Sequence, residues 1–194
     1  MLSERAKQLI PKARIFTANQ LQSQYSQSVI EVFTNADNNS SYLSDEDLDA
    51  IKSEAPQLEE NLQCSQILRE KASQIVDDAR KQVLIKFPKI TDEGGELYPP
   101  FRAEACWRDF WHFLRTISYG IAGKNDNFTS ADGLENMKLL YEELKVPLPA
   151  MIVGLENLKV YGLSHFSAEQ QQDLGVYFDH LIAKMKQFLS SSDS

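Results

Sequence analysis

The sequence predicts a single all-α domain, and three observations support this prediction. Only 8 Gly and 7 Pro occur in 194 residues, so few positions favour tight turns. The apolar side chains recur mostly three to five positions apart, which is the spacing of one face of a helix. No stretch of useful length alternates apolar and polar side chains as a half-buried strand does. The length of the chain suits one compact domain.

The first third of the chain predicts two helices separated by a loop. Residues 12–33 carry apolar side chains on one helical face and predict an amphipathic helix that begins near Pro11. The Asn, Asp and Ser residues at 35–41 predict a loop, because such side chains compete with the backbone for hydrogen bonds. Ser44 is a predicted N-cap followed by an acidic first turn, an interpretation that we prefer to a metal site. Pro56 ends this second helix.

The middle of the chain predicts two long helices. An apolar stripe continues over residues 58–87 and predicts the first of them. A pair of glycines at 94–95 and a pair of prolines at 99–100 then mark a long connection. The second helix, 101–119, is rich in Phe and Trp, so it must be largely buried or must cover a large flat ligand.

Three further helices complete the predicted domain, and each has a capping residue or a proline at its start. They run from Ser130 to about Leu144, from Pro147 to about Gly162, and from Ser167, in a capping box with Gln170, to about Leu189. Residues 190–194 are a predicted disordered tail.

Composition and charge exclude several classes of function. Hydrophobic residues make up 42% of the chain and charged residues 25%, which excludes a disordered protein. Twenty basic and 28 acidic residues give a formal net charge of −8, which repels nucleic-acid phosphates and anionic membranes. Two cysteines do not make a disulfide framework, and the first residues are too charged for a signal peptide. We therefore expect a cytoplasmic protein with reduced thiols, no nucleic-acid partner and no membrane insertion.

Most catalytic signatures are missing from the sequence. It contains no glycine-rich nucleotide loop, no HExxH motif, no CxxC motif and no serine elbow. The polar stretch 125–130 is similar to a calcium loop but lacks the glycine that the sharp turn needs. We therefore expect neither an enzyme nor a bound metal ion.

One group of residues in the aromatic helix has the chemistry of a ligand site. Cys106 and Asp109 lie three positions apart, which places a thiol and a carboxylate on one helical face. Arg108 points elsewhere, but its long side chain can wrap back. Such a face can bind a ligand through sulfur, accept its N–H groups and neutralise its acid groups. On spacing alone, the favoured alternative is that Cys106 and His112 are ordinary packed residues.

The same residues take part in a longer resemblance to the phycobiliprotein superfamily, in particular to its allophycocyanin type. The match runs from Tyr42 to Pro147 without a gap and resumes in the last helix. Its motifs are Asn35-Ala36-Asp37, Tyr42-Leu43-Ser44, Lys86-Phe87-Pro88, Gly94-Gly95, Cys106-x-Arg108-Asp109, Leu114-Arg115, Tyr119-Gly120, Gly133-Leu134, Tyr141 and Tyr177-Phe178-Asp179.

The resemblance implies a globin-like fold with an N-terminal helical extension. We assign residues 1–40 to this extension and residues 41–189 to a globin-like bilin-binding domain. In the family the extra helices form the subunit interface. The apolar face of residues 15–33 would be costly to leave in water, at about 25 cal/mol per Å². We therefore expect a homodimer that forms through the N-terminal helices.

The resemblance also implies a ligand and its site. The ligand is a bilin, an open-chain tetrapyrrole such as phycocyanobilin, joined by a thioether to Cys106. Asp109 would accept hydrogen bonds from the two central pyrrole N–H groups, and Arg108 would meet a propionate. The other positions that we expect to contact the bilin are Tyr119, Tyr141, His112 and Phe113.

The chain departs from the antenna pattern at several positions. His112 and Phe113 stand where antenna proteins commonly carry paired tyrosines, while Trp107 and Trp111 enlarge the aromatic content beside the thiol. His180 replaces an aromatic hydroxyl, and additional residues precede the match. These departures favour a similarity to the divergent bilin biosynthesis-associated globins. Such a relation implies bilin handling or photosynthetic assembly or regulation, with the proteins of those processes as partners, and not bulk light capture.

Three functions remain open on the sequence. The first is a non-enzymatic bilin-binding globin, which the intact Cys106, Arg108 and Asp109 favour. The second is an assembly protein that has the same fold but does not use its pocket, which the changed aromatic residues favour. The third is a haem-binding sensor globin, which only His112 favours.

Overall fold

The structure, a computed structural model, describes residues 2–190, and Ser190 only by its backbone. The prediction of an all-α chain is confirmed, since the described residues form eight α-helices and one isolated bridge. The predicted disordered tail lies outside the described residues except for Ser190, which ends the last helix. The helices are α1 (Glu4–Leu9), α2 (Gln27–Asn38), α3 (Asp45–Glu54), α4 (Glu59–Lys86), α5 (Pro100–Ala122), α6 (Ala131–Leu144), α7 (Leu148–Leu163) and α8 (Ala168–Ser190).

The core is built around α4 and α5. The helix α4 packs along both α5 and α7, and α7 packs against α8. The predicted apolar stripe of α4 is buried, and every residue of α5 from Phe113 to its end is buried as well. A glycine brings α7 close to α5, because a Cβ at Gly154 would overlap the ring of Phe110. This dense packing fixes the position of α5, which carries the predicted ligand residues.

The helix starts predicted at Ser44, Ser130 and Ser167 are confirmed by their capping hydrogen bonds. The Ser44 hydroxyl accepts from the backbone N–H of Asp47 at 3.1 Å, and the Asp47 carboxylate accepts from the N–H of Ser44 at 2.8 Å. Ser130 caps α6, and Ser167 forms the reciprocal pair with Gln170 before α8. These signals are local, so the sequence alone suffices to find them.

The N-terminal segment differs from its prediction of one helix over residues 12–33. After α1 the chain makes a 3-10 turn at Ile10–Lys12, an extended stretch and a second 3-10 turn at Asn19–Ser23 before α2. The extended stretch pairs with the segment before α6: Thr17 N–H donates to Phe128 O at 3.0 Å, and Ser130 N–H donates to Ile15 O at 2.7 Å. These tertiary hydrogen bonds outweigh the helical preference of the local sequence.

The loop predicted at 35–41 begins later than expected, because α2 continues to Asn38. The last turn of α2 contains Asp37, whose carboxylate accepts hydrogen bonds from Arg14 and Arg115. Both contacts are tertiary, so the local Asn-rich sequence does not reveal that the helix continues through Asp37.

The apolar face that predicts a dimer is covered by the chain itself. Phe16 and Phe33 are buried, and their rings lie 5.0 Å and 6.3 Å from the ring of Tyr119 on α5. Leu21 and Val29 are buried too. The apolar face is therefore buried within one protomer, so its burial does not require a second copy of the chain. The homodimer stays a prediction.

The first helix of the extension lies against α6. Ala6 and Leu9 of α1 form a small apolar cluster with Leu140 of α6, and the Ser3 hydroxyl donates to the Glu143 carboxylate at 2.6 Å. The 3-10 turn Ile10–Lys12 that follows α1 also packs against α6. Within the described residues, no helix is both long and apolar enough to cross a membrane.

Candidate functional site

A cavity of about 840 Å³ lies between α5, α6 and the N-terminal segment. Its volume is within the range of pockets that bind small molecules and cofactors. Six of the seven predicted site residues line it, and the structure therefore brings them together. They are Cys106, Arg108, Asp109, His112 and Phe113 on α5 and Tyr141 on α6.

Tyr119 is the predicted site residue that does not line the cavity. It is fully buried, donates a hydrogen bond to the carbonyl of Ser41 and accepts one from Arg115 at 2.8 Å. The structure therefore does not bring Tyr119 together with the other predicted site residues. The Tyr119 hydroxyl is occupied by the chain because α2 and the following loop fold back onto this part of α5.

The thiol of Cys106 is buried in the cavity wall. Burial, and to a lesser degree the Asp109 carboxylate, raise its pKa to about 12 against the opposing charge of Arg102. The thiol is therefore protonated and a weak nucleophile at neutral pH. Cys64 has a similarly raised pKa of about 11, but it lies on α4, among the core residues and away from the cavity.

Asp109 is a partly buried carboxylate with one protein donor. Its pKa is raised to about 6, because burial outweighs the hydrogen bond from Tyr141 and the charge of Arg108, which both lower the pKa. The Tyr141 hydroxyl donates to Oδ2 of Asp109 at 2.8 Å. Above about pH 6, Asp109 is thus an anion in an apolar surrounding, with acceptor positions available for the N–H groups of a ligand.

His112 is neutral at physiological pH. Burial lowers its pKa to about 4, helped by the positive charges of Arg115 and Arg108. Its ring lies edge-on to Trp111 at 5.1 Å, and its buried Nδ1 has no hydrogen-bond partner. The residue adds a polar group, but no charge, to the cavity wall.

Four charged residues that line the cavity are not among the predicted site residues: Arg14, Asp37, Arg102 and Arg115. Arg102 donates to the backbone carbonyls of Leu144 and Lys145. Arg115 donates to Oδ1 of Asp37 at 3.0 Å, and Arg14 donates to Oδ2 of the same carboxylate at 2.7 Å. Arg115 and Asp37 belong to motifs of the family resemblance, which is the signal that would have pointed to them. Arg14 has no such signal, because it precedes the matching region and lies in a segment whose structure was mispredicted.

The donor set is unsuited to a metal ion. In the part of the chain that the structure describes, no group of three or more His, Cys, Asp or Glu residues is arranged to hold one. The cavity instead combines apolar walls with a thiol, a carboxylate and several guanidinium groups. Such a set suits an organic ligand that has N–H donors and acid groups.

Comparisons with known proteins point to one family. A family model described as "Phycobilisome protein" matches residues 31–185. The chain is 32% identical to the allophycocyanin alpha chain of Cyanophora paradoxa over 158 residues, covering 81% of this chain and 98% of that one. The allophycocyanin alpha chain of Thermosynechococcus vestitus is 33% identical with the same coverage. The allophycocyanin subunit alpha-B of Synechocystis is 31% identical over 157 residues, again 81% of this chain and 98% of that one.

Proposed function

Because the chain belongs to the phycobilisome protein family, whose fold is globin-like and all-α, we propose that it is a non-enzymatic bilin-binding protein. The bilin is phycocyanobilin or a related linear tetrapyrrole, joined through a thioether to Cys106. The observation that carries this proposal is that one cavity contains the Cys106 thiol, the Asp109 carboxylate and the Arg108 guanidinium. These are the residues on which the resemblance to bilin proteins rests.

The cavity fits a bilin in size and in chemistry. A volume of about 840 Å³ accommodates a ligand of four pyrrole rings, and its walls are largely apolar, as flat conjugated rings require. The buried carboxylate of Asp109 fits a ligand with N–H donors, since it has one protein donor and an unfavourable charge. A protonated tetrapyrrole would neutralise that charge.

Each residue has a distinct task in this proposal. Cys106 supplies the sulfur of the thioether and fixes one end of the ligand. Asp109 accepts hydrogen bonds from the central rings, and Tyr141 holds the carboxylate in place. Phe113 packs against the ligand, which limits its freedom to twist. The ligand supplies the colour, and a rigid pocket determines how much of the absorbed energy is lost by twisting.

The finer role that we propose is bilin handling, or photosynthetic assembly or regulation, in the cytoplasm. Two features support it over bulk light capture. His112 and Phe113 change the polarity of the cavity wall, and the segment before residue 31, which lies outside the family match, contributes Ile10, Pro11 and Arg14 to the cavity. Such a segment would also alter the surfaces by which antenna subunits stack.

The partners that we propose are a linear tetrapyrrole, proteins of bilin biosynthesis or photosynthetic assembly, and a second copy of the chain. The homodimer would have to use the exposed sides of the N-terminal helices, because their apolar face is buried in the protomer. Sedimentation of the full-length protein tests this part: a single monomeric species over a wide concentration range would contradict it.

The absorbance spectrum of full-length protein made together with a bilin supply tests the proposed function. We expect a strong visible band that co-purifies with the protein and survives denaturation. A colourless protein would contradict the proposal and favour an assembly protein that does not use its pocket. A Soret band that disappears in His112→Phe would contradict it in favour of a haem globin.

A further inference from the structure

Two residues that line the cavity each have a buried side-chain nitrogen without a hydrogen-bond partner among the described residues. In the described part of the chain, the buried side-chain nitrogen and oxygen atoms with no hydrogen-bond partner are Nδ1 of His112 and Nε of Arg115. Both residues line the cavity. An unsatisfied buried polar group is unfavourable, and such groups in native proteins commonly face a ligand or ordered water.

The same end of the cavity has an excess of positive charge. Arg14 and Arg115 share the single carboxylate of Asp37, at 2.7 Å and 3.0 Å. The side chain of Arg115 is only 7% exposed, so water screens its charge poorly. His112 is neutral and does not add to the charge. Two guanidinium groups and one carboxylate leave one positive charge available to an anion.

This charged end is distinct from Arg108. Arg108 lies two positions from Cys106 on α5, whereas Arg115 lies nine positions away, about 14 Å along the helix at 1.5 Å per residue. A bilin has two propionates, and the family resemblance assigns a partner to only one of them. Arg102 also lines the cavity, but its guanidinium donates to three backbone carbonyls. Arg108 and Arg115 thus place positive groups at separate positions along the length of the proposed ligand.

We propose that Arg14 and Arg115 form a carboxylate-binding subsite that takes a propionate of the bilin. This inference rests on the proposed function and deepens it. Asp37 acts as a positioning residue, because it orients both guanidinium groups. Arg14 comes from the segment before the family match, so the subsite gives that segment a role in ligand recognition.

Arg14 is the residue that tests the subsite most cleanly. Replacing Arg115 would remove the buried ion-pair partner of the Asp37 carboxylate, so the free energy of unfolding would fall. In Arg14→Gln, Asp37 and Arg115 remain as a neutral pair, so the fold keeps its buried ion pair. Lys12→Gln is the matched control, because it removes one positive charge from an exposed residue of the same segment that does not line the cavity.

The experiment measures reversible binding of two probes to the full-length chain in a Cys106→Ser background. The probes are biliverdin, which has two free propionates, and its dimethyl ester, which has the same ring system without those charges. We expect Arg14→Gln to weaken biliverdin binding about tenfold or more, with the ester unaffected. Arg14→Lys should recover part of the loss, and Lys12→Gln should bind both probes as the parent does.

The outcomes separate the subsite from the proposed function. If Arg14→Gln weakens the binding of both probes equally, Arg14 only shapes the cavity and the proposed subsite is wrong. Biliverdin binding that is unchanged in Arg14→Gln also overturns the subsite, while the proposed function stands. If the Cys106→Ser parent binds neither probe, the subsite is overturned, whereas the proposed function is judged separately by the absorbance spectrum of the parent protein made with a bilin supply.

Discussion

The hydroxyl of Tyr141 on α6 donates a 2.8 Å hydrogen bond to Oδ2 of Asp109 on α5. This bond joins two helices at the wall of the cavity and holds the carboxylate next to the Cys106 thiol. It does not compensate for burial, since the pKa of Asp109 is still raised to about 6. A residue that is unfavourably charged in its own protein is typical of a functional site, where stability is given up for binding.

Asp109→Asn is expected to stabilise the protein when no bilin is bound. The pKa of Asp109 is about 3.8 in the unfolded chain and about 6 in the folded one, so ionisation favours unfolding. The folded state loses stability as the pH rises from about 4 to 6 and does not regain it above that. The free energy of unfolding of the variant should therefore be about 1–3 kcal/mol higher than that of the parent at pH 8. Below pH 4 the two should be almost equal.

Chemical denaturation at several pH values measures this difference. Asp179→Asn is the control, because Asp179 is exposed and pairs with Lys159 at the surface, so its removal should not stabilise the chain. A variant at Asp109 that is less stable than the parent at pH 8 would show that the carboxylate serves the fold.

Tyr141→Phe is expected to raise the pKa of Asp109 above about 6. The hydroxyl favours the ionised carboxylate by donating to it, so its removal leaves burial less opposed. A carbon-13 NMR titration of the carboxyl groups measures the pKa directly. An Asp109 pKa that is unchanged or lower in Tyr141→Phe would mean that the two side chains are not hydrogen-bonded in solution.

Gly133→Ala is expected to displace the N-terminal segment from α6. A Cβ at this position would overlap the carbonyl oxygen of Arg14 and lie 2.6 Å from its carbonyl carbon, and a backbone cannot yield as a side chain can. Although Gly→Ala in a helix normally stabilises by up to about 1 kcal/mol, we expect a loss of about 1–3 kcal/mol here.

Limited proteolysis of Gly133→Ala should also cut more rapidly between residues 2 and 25. Gly175→Ala is the matched control, since its Cβ would make an ordinary contact of 3.6 Å with Cε of Lys159. If Gly133→Ala is as stable and as resistant as the parent, the segment does not lie on α6 as described.

The helices from α3 onwards could be predicted because their signals are local. Ser44, Ser130 and Ser167 bond to backbone groups within one turn, and the packing of the protein does not alter that. The segment before α2 could not be predicted in the same way. Its conformation depends on hydrogen bonds to residues 128–130, more than a hundred positions away, which no local pattern reveals.

The candidate site likewise contains residues that the sequence predicts and residues that only the tertiary structure reveals. The spacing of Cys106 and Asp109 on one helix was sufficient to place both on one face, and the family resemblance added Tyr141 from a different helix. Tyr119 lies apart from the cavity because Arg115 and the Ser41 carbonyl occupy its hydroxyl, a tertiary arrangement that the sequence does not reveal. Arg14 reaches the cavity only because the N-terminal segment folds along α6.

Covalent attachment at Cys106 is the central claim, and one measurement tests it most directly. The full-length protein and its Cys106→Ser and Cys64→Ser variants are each produced with a bilin supply, denatured, separated on a gel and examined for zinc-enhanced fluorescence. The parent and Cys64→Ser should fluoresce, because Cys64 lies on α4 away from the cavity, and Cys106→Ser should not. Fluorescence that persists in Cys106→Ser would contradict the account.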